Sequence, residues 1–401
     1  MKVDKIFDSF IENNLFKNKN ILQANYTPED IPHRDAQIEQ VANVLAPVLR
    51  GERTSNLFIY GKTGTGKTLS VQYVRNKLFG RLEKMDNGVN LKIEYINCKL
   101  KKVADTEYRI LAELISKLGG SVPATGLPTD QVYSRFIDLI EQEKQLIIII
   151  LDEIDQAMQK IPDSFLYNLT RLNSELVNSQ IGIIGISNDL TFLDSIDPRV
   201  RSSLGEEEIV FPPYNAIQLQ EILKKRSEDA FLKGVLQDGV IAKCSALAAR
   251  EHGDARRALD LLRIAGELAE RRGQKKIKIE HIDEANEKIE KDKIIDIVET
   301  EPKQFKLVLL AIINLTERRK LEKIFTGDVY DYYNGLCKKA KIEILTQRRV
   351  SDIIAEFDML GLINARVVSK GRYGRTRQIK LAIPSRLLEK VKGILTEALV
   401  L

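Results

Sequence analysis

"NLFIYGKTGTGKTLSVQYVRNKLF", residues 56–79, joins an apolar strand, Leu57 to Tyr60, to a glycine-rich loop and then to a helical pattern. Gly61, Gly64, Gly66, Lys67 and Thr68 satisfy G-x-x-x-x-G-K-[ST] in the strand–loop–helix setting that the pattern requires. Glycines let backbone N–H groups wrap phosphate oxygens, and the N-terminus of the following helix adds its positive dipole end. The loop Gly61-Lys62-Thr63-Gly64-Thr65-Gly66-Lys67-Thr68-Leu69 is therefore a candidate nucleotide cradle. Within it Lys67 would reach the β- and γ-phosphates, and Thr68 would offer a hydroxyl to Mg²⁺.

Such a loop needs a buried strand ending in acids beside it. "QLIIIILDEID", residues 145–155, supplies one, with Leu146 to Leu151 reading as a strand covered on both faces. Asp152 at its end is placed for the Mg²⁺ shell and Glu153 to polarise an attacking water. Asp155 reads as a structural acid. Another apolar strand, Ile181 to Ile186, ends close to Asn188, whose amide is placed to orient that water. An asparagine that merely opens a turn is the plainer alternative. The pattern predicts an α/β P-loop domain, a parallel sheet with helices on both faces.

A chain of 401 residues suggests two or three domains, and 43% apolar with 30% charged residues describes a soluble globular protein. Its longest apolar run, Leu146 to Leu151, is far shorter than the roughly 20 residues of a membrane span. No cationic start leads into an apolar segment, so neither a signal peptide nor a membrane partner is expected. Cys98, Cys244 and Cys337 lie far apart, which favours reduced thiols and a cytoplasmic location.

The formal charge of +5 hides an asymmetry. Residues 302–401 hold 11 Lys and 9 Arg against 10 acids, a net of +10, so the preceding residues sum to −5. A polyanionic partner at the C-terminal end is one reading and a merely basic surface the other. Patterning decides between them. In "LTQRRVSDIIAEFDMLGLI", residues 345–363, Val350, Ile353, Ile354, Phe357 and Leu360 recur at helical spacing, behind a capping candidate at Thr346. Gln347, Arg348, Arg349 and Ser351 fall in the first turn, where a recognition helix meets the major groove. "LINARVVSK" then alternates as a strand, "GRYGR" turns and "TRQIKL" returns. Helix followed by a hairpin with a cationic tip is the layout of a winged helix. Lys370, Arg372, Arg375 and Arg377 would meet phosphates, Gly374 would let the hairpin bend, and Tyr373 would lie against a sugar or a groove edge. A solvated edge hairpin is the alternative, and it does not explain five cations among residues 370–380 without an acid.

Taken together these pieces resemble the AAA+ ATPases, and more narrowly the archaeal replication initiators, relatives of the eukaryotic origin-recognition and cell-division-control loaders. The likeness extends over almost the whole chain. "YTPEDIPHRDAQI", residues 26–38, is similar to that family's N-terminal box, which implies that Ile31, Pro32, His33 and Arg34 border the adenine. "FPPYNAIQLQEIL", residues 211–223, resembles the start of its helical lid and places Tyr214 and Ile222 near the base. "HGDARRALDLLR", residues 252–263, resembles its second sensor, with Arg256 directed at the γ-phosphate. Asn188 matches its first sensor. In "DPRVRSSL", residues 197–204, Ser203 stands where the family's finger arginine aligns, leaving Arg199 and Arg201 as candidates. Residues 105–136 resemble a helical insertion that touches the DNA minor groove in the initiators; helix packing alone would explain Ile110, Leu111, Leu114, Ile115 and Leu118.

The resemblance implies an initiator that binds double-stranded origin DNA under control of ATP or ADP with Mg²⁺. It also implies weak ATP hydrolysis as a switch, recruitment or loading of the replicative helicase, and paralogous subunits as further partners, in a nucleoid-associated setting. A nucleotide-locked DNA-binding protein and an ATP-dependent transcriptional regulator stay open as rivals. The expected organisation is a polar lead-in at 1–20, a nucleotide domain at 21–212, a helical lid at 213–296 and a winged-helix domain at 302–401. "DKIIDIVETEP", residues 292–302, is the expected junction before the last.

Overall fold

The computed structural model describes residues 14–23, 26–85, 88–99, 106–123, 126–204, 206–318, 323–369 and 375–399. The chain forms two compact units, Met1–Ile282 and Asp283–Leu401.

In the first unit five strands, β1 (Leu57–Gly61), β2 (Leu91–Asn97), β3 (Leu146–Asp152), β4 (Gln180–Ser187) and β5 (Glu207–Phe211), form one sheet in the order β2-β3-β4-β1-β5. Every pairing is parallel. All seven residues of β3 are buried because helices cover both faces. Its Leu146, Ile148 and Ile150 point to the face carrying helices Asp35–Leu45 and Lys67–Met85, beside Val41, Leu45, Val71 and Val74. Ile147, Ile149 and Leu151 point to the other face. There the two helices of the insertion, Glu107–Lys117 and Thr129–Ile140, contribute Ile110, Leu111, Leu114, Val132 and Phe136 to the core.

Three helices, Ala216–Ala230, Val240–Arg250 and Ala255–Arg271, follow the sheet as a lid. Asn215 and Gln218 close the first by a reciprocal capping box. The second and third are separated at His252 and Gly253, both at positive φ (76° and 67°). Residues 14–20 correct the expectation of a polar lead-in. Leu15 and Phe16 are buried, Phe16 stacks on Phe231 at 4.7 Å between centroids, and Glu270 accepts the Leu15 N–H at 2.9 Å.

The expected junction at residues 292–302 is helical over most of its length. One helix, Ile279–Thr300, runs through it without a break. Neither glycine nor proline interrupts it, and Pro302 follows its end. The second unit then has helices Lys303–Arg318, Thr326–Ala340, Gln347–Met359 and Ser385–Leu399. They pack with an antiparallel sheet of β6 (Ile324–Phe325), β8 (Arg375–Leu381) and β7 (Ile363–Ser369), in that order. Among the described residues no helix is long and apolar enough to cross a membrane.

Candidate active site and nucleic-acid interface

The phosphate loop bends through Gly64 and Gly66 at φ of 71° and 92°, a region that L side chains rarely enter. Lys67 opens the following helix and is almost fully buried. Its Nζ donates to the Gly61 and Lys62 carbonyls at 2.7 and 2.9 Å and to Asn188 Oδ1 at 2.9 Å. Burial lowers the Lys67 ammonium to about 8, Asp152 opposes that shift and Arg256 adds to it. A desolvated cation of this kind gains most from an incoming anion.

At the end of β3, Asp152 Oδ2 accepts from Thr68 Oγ1 at 2.7 Å and from the Tyr95 hydroxyl at 2.7 Å. Burial first, then the Asp152 carboxylate, raise the Tyr95 phenol well above its ordinary value, so it stays a proton donor. Glu153 occupies the left-handed region (φ 55°) and its carboxylate lies 3.5 Å from Lys99 Nζ. Asp155 is buried and accepts from Ser187 Oγ at 3.0 Å and from the Asn188 N–H at 3.2 Å. The structural acid thus holds the Asn188 turn, and Asn188 in turn meets Lys67.

A cavity of roughly 580 Å³ lies between this edge of the sheet and the lid. Thr63 to Leu69, Asp152, Glu153, Asn188, Ile31, Pro32, Tyr214, Ile222 and Arg256 all line it. Gly61, Lys62, His33 and Arg34 do not. Arg34 corrects the expectation that it borders a base. It is 2% exposed, donates to the Thr65 and Pro212 carbonyls at 2.7 and 2.6 Å, and its guanidinium lies 3.7 Å from the Tyr214 ring centroid. It fastens the phosphate loop to the start of the lid from behind. His33, at φ 63°, places Nε2 2.9 Å from a Glu221 carboxylate oxygen. On the lid side Asp254 caps helix Ala255–Arg271 by accepting from the Arg256 and Arg257 N–H groups, and Ala255 N–H donates to the Gly64 carbonyl at 3.2 Å. Arg256 is carried to the cavity by that contact.

Sequence reasoning missed Tyr95, Asn97, Lys99 and the cavity wall made by Ile21, Gln23, Tyr26 and Arg226. Tyr26 opens the quoted N-terminal box but was given no role there; the others sit in no motif, and only a β2 strand ending beside the acid strand would have pointed to the first three. Arg199 and Arg201 stand away from the cavity on helix Pro198–Leu204, each paired with a nearby acid: Arg199 with Asp197 at 2.9 Å, Arg201 with Asp194 at 2.8 Å.

In the second unit Thr346 caps helix Gln347–Met359, and Val350, Ile353, Ile354 and Phe357 are its buried face. Gln347, Arg348 and Arg349 are exposed in the first turn. Ser351 and Arg377 are turned toward each other instead: Arg377 Nη1 donates to the Ser351 carbonyl at 2.8 Å and hydroxyl at 2.7 Å. These bonds tie strand β8 to the helix. Lys370, Arg372, Tyr373 and Gly374 lie outside the described residues, and Arg375 begins β8.

Residues 30–181 match the family described as AAA ATPase domain, 220–287 the Cdc6 AAA+ ATPase-type lid domain, and 296–391 the CDC6 C-terminal winged helix domain. The ORC1-type DNA replication protein of Pyrococcus furiosus is 51% identical over 396 residues, covering 98% of this chain and 93% of its own. This chain belongs to the ORC1-type (Cdc6) family of DNA replication proteins. ORC1-type DNA replication protein 1 of Sulfurisphaera tokodaii is 50% identical over 382 residues, 95% of this chain and 94% of its own. Among solved structures the Aeropyrum pernix ORC1 protein, in complex with DNA, matches with a TM-score of 0.85 and 44% identity, covering 96% of this chain and 97% of that one.

As an ORC1-type chain the protein carries an AAA+ ATPase fold, and the cavity fits a nucleotide. Backbone N–H groups supply neutral donors and the Lys67 ammonium and Arg256 cationic ones for phosphates, and Ile31, Ile222 and Leu259 supply apolar walls. Thr68 and Asp152 are paired oxygen donors, as a hard cation prefers, and one carboxylate beside phosphate oxygens is the usual Mg²⁺ arrangement.

Proposed function

We propose that this chain initiates DNA replication by binding origin duplex DNA through its winged helix, with ATP or ADP under the lid setting how strongly it does so. The observation that carries this reading is the union, in one ORC1-type chain, of a lidded phosphate-loop cavity with a winged helix that exposes Gln347, Arg348 and Arg349. The relatives' DNA replication names and the DNA in the Aeropyrum pernix ORC1 complex support it.

When bound, ATP supplies the phosphoanhydride to be cleaved and Mg²⁺ the charge that offsets its oxygens. Thr68 and Asp152 would hold the cation. Lys67 and Arg256 would fix the terminal phosphates, Glu153 would take a proton from the attacking water, and Asn188 would orient that water. Hydrolysis is slow and acts as a switch in this reading. Arg199 and Arg201 are the candidates for reaching a neighbouring subunit's site. Arg199 grips the partly exposed Asp197 through two N–H donors and Arg201 pairs with the exposed Asp194, so each would have to exchange an acid for a neighbour's phosphate. Helicase recruitment and assembly with paralogous initiators complete the proposal.

The test is selection of bound fragments from the source organism's sheared genome, with full-length protein and ATP, beside the Arg348→Ala/Arg349→Ala variant. Enrichment of one or a few loci with repeated sites, lost in the variant, is expected. Uniform recovery of the genome would reduce the winged helix to an electrostatic clamp and defeat the initiator reading.

A further inference from the structure

Tyr95 belongs to no motif, yet it shares an oxygen with the best-defined pair in the cavity. Asp152 Oδ2 accepts both from its hydroxyl and from Thr68 Oγ1, each at 2.7 Å, and Asp152 Oδ1 accepts the Glu153 N–H at 3.0 Å. An ionised carboxylate offers about four lone-pair directions. With three met by these donors, roughly one is left for a cation. The placement follows from the sheet. Asn97 pairs with Asp152 in register, and Tyr95 lies two residues earlier on the same face of β2. Its ring packs on the core of Val71 and Ile150, so the hydroxyl is carried by a strand and not by a loop. Both Tyr95 and Asn97 reach the cavity wall.

We propose that Tyr95 is a positioning residue for the divalent cation: its hydroxyl fixes the Asp152 carboxylate so that one oxygen direction, together with the lone pairs of Thr68 Oγ1, stands ready for the metal. This rests on reading the cavity as a nucleotide–Mg²⁺ site. Without the hydroxyl, Asp152 Oδ2 keeps a single partner, Thr68, which is itself the other donor. Any swing of the carboxylate then moves both donors together. Tyr95 is a partner that holds the acid from outside that pair.

Calorimetric titration of the full chain with ADP, first in excess EDTA and then across a Mg²⁺ series, reads this without turnover. Tyr95→Phe keeps the ring and removes only the hydroxyl. Its metal-free ADP affinity should stay within about twofold of the parent, while the Mg²⁺ concentration giving half of the affinity gain should rise about tenfold or more, as for other groups that orient a metal ligand. An unchanged Mg²⁺ midpoint would overturn the proposal. So would an equal loss of affinity with and without Mg²⁺, which marks a general disturbance of the cavity. Thr68→Ala is titrated alongside. If it keeps the parent's Mg²⁺ dependence, the cavity reading itself falls. Where Thr68→Ala loses that dependence and Tyr95→Phe retains it, the Tyr95 assignment alone falls.

Discussion

Glu153 adopts a left-handed backbone conformation at φ 55°, and such a position costs a non-glycine residue about 1–3 kcal/mol unless its surroundings hold it. Here the Asp152 carboxylate accepts the Glu153 N–H, and the turn aims the side chain into the cavity. Glu153→Gln keeps that geometry and removes the base. Single-turnover hydrolysis should fall by about 10²–10⁴-fold, with ATP affinity within about twofold of the parent. Unchanged turnover would show that another group takes the proton. Arg34 illustrates where residue identity and residue role part company. The box around it was legible in the sequence, but the turn at His33 sends its guanidinium behind the phosphate loop and onto Tyr214. Arg34→Met should destabilise the nucleotide-free protein by about 1–3 kcal/mol in urea unfolding, because the Thr65 and Pro212 carbonyls lose a buried donor. An effect seen only in the presence of nucleotide would restore it to the base.

Among the elements, the strands and the amphipathic helices were readable because burial on a sheet or on one helix face writes a period into the sequence: β3 alternates between the two helical layers, and Val350, Ile353, Ile354 and Phe357 line one face. Residues 14–22 wrote no such period. Their docking depends on a space opened by a distant glycine, since a Cβ at Gly266 would stand 2.5 Å from Phe16 and 3.0 Å from Phe231. Backbone bonds from Lys17 and Asn18 to the Ala230 carbonyl, and an ion pair of Lys19 with Glu267 at 2.7 Å, fasten the same segment. Gly266→Val should cost about 1–3 kcal/mol by overpacking and speed amide hydrogen exchange across Phe16–Leu22. Unaltered exchange would mean that the segment docks without this contact. The winged-helix unit holds a similar lesson: strand β8 and the helix were legible, whereas the bond from Arg377 to Ser351 across 26 residues was not. Arg377→Ala should therefore weaken DNA binding without lowering its salt dependence. Loss of a phosphate contact would instead flatten the log–log slope by about one unit.

At the scale of the whole molecule, a domain carrying +10 is joined to a remainder carrying −5, a division of labour already plain in the composition. The helical form of the expected junction was not legible, since helix Ile279–Thr300 passes through most of it without a breaker before Pro302. In the proposed function the two activities are linked, so that nucleotide under the lid changes the grip of the winged helix on origin DNA. Linkage of this kind amounts to about 1–3 kcal/mol, or 5–150-fold, and is reciprocal. The deciding measurement is the affinity of the full chain for one origin duplex without nucleotide, with ADP and with a non-hydrolysable ATP analogue, all with Mg²⁺ at one salt concentration. At least about a fivefold difference between two of these states is expected, matched by an equal change in nucleotide affinity when the duplex is present. Identical affinities in all three states would contradict it, leaving a DNA-binding protein whose nucleotide serves only to hold its fold.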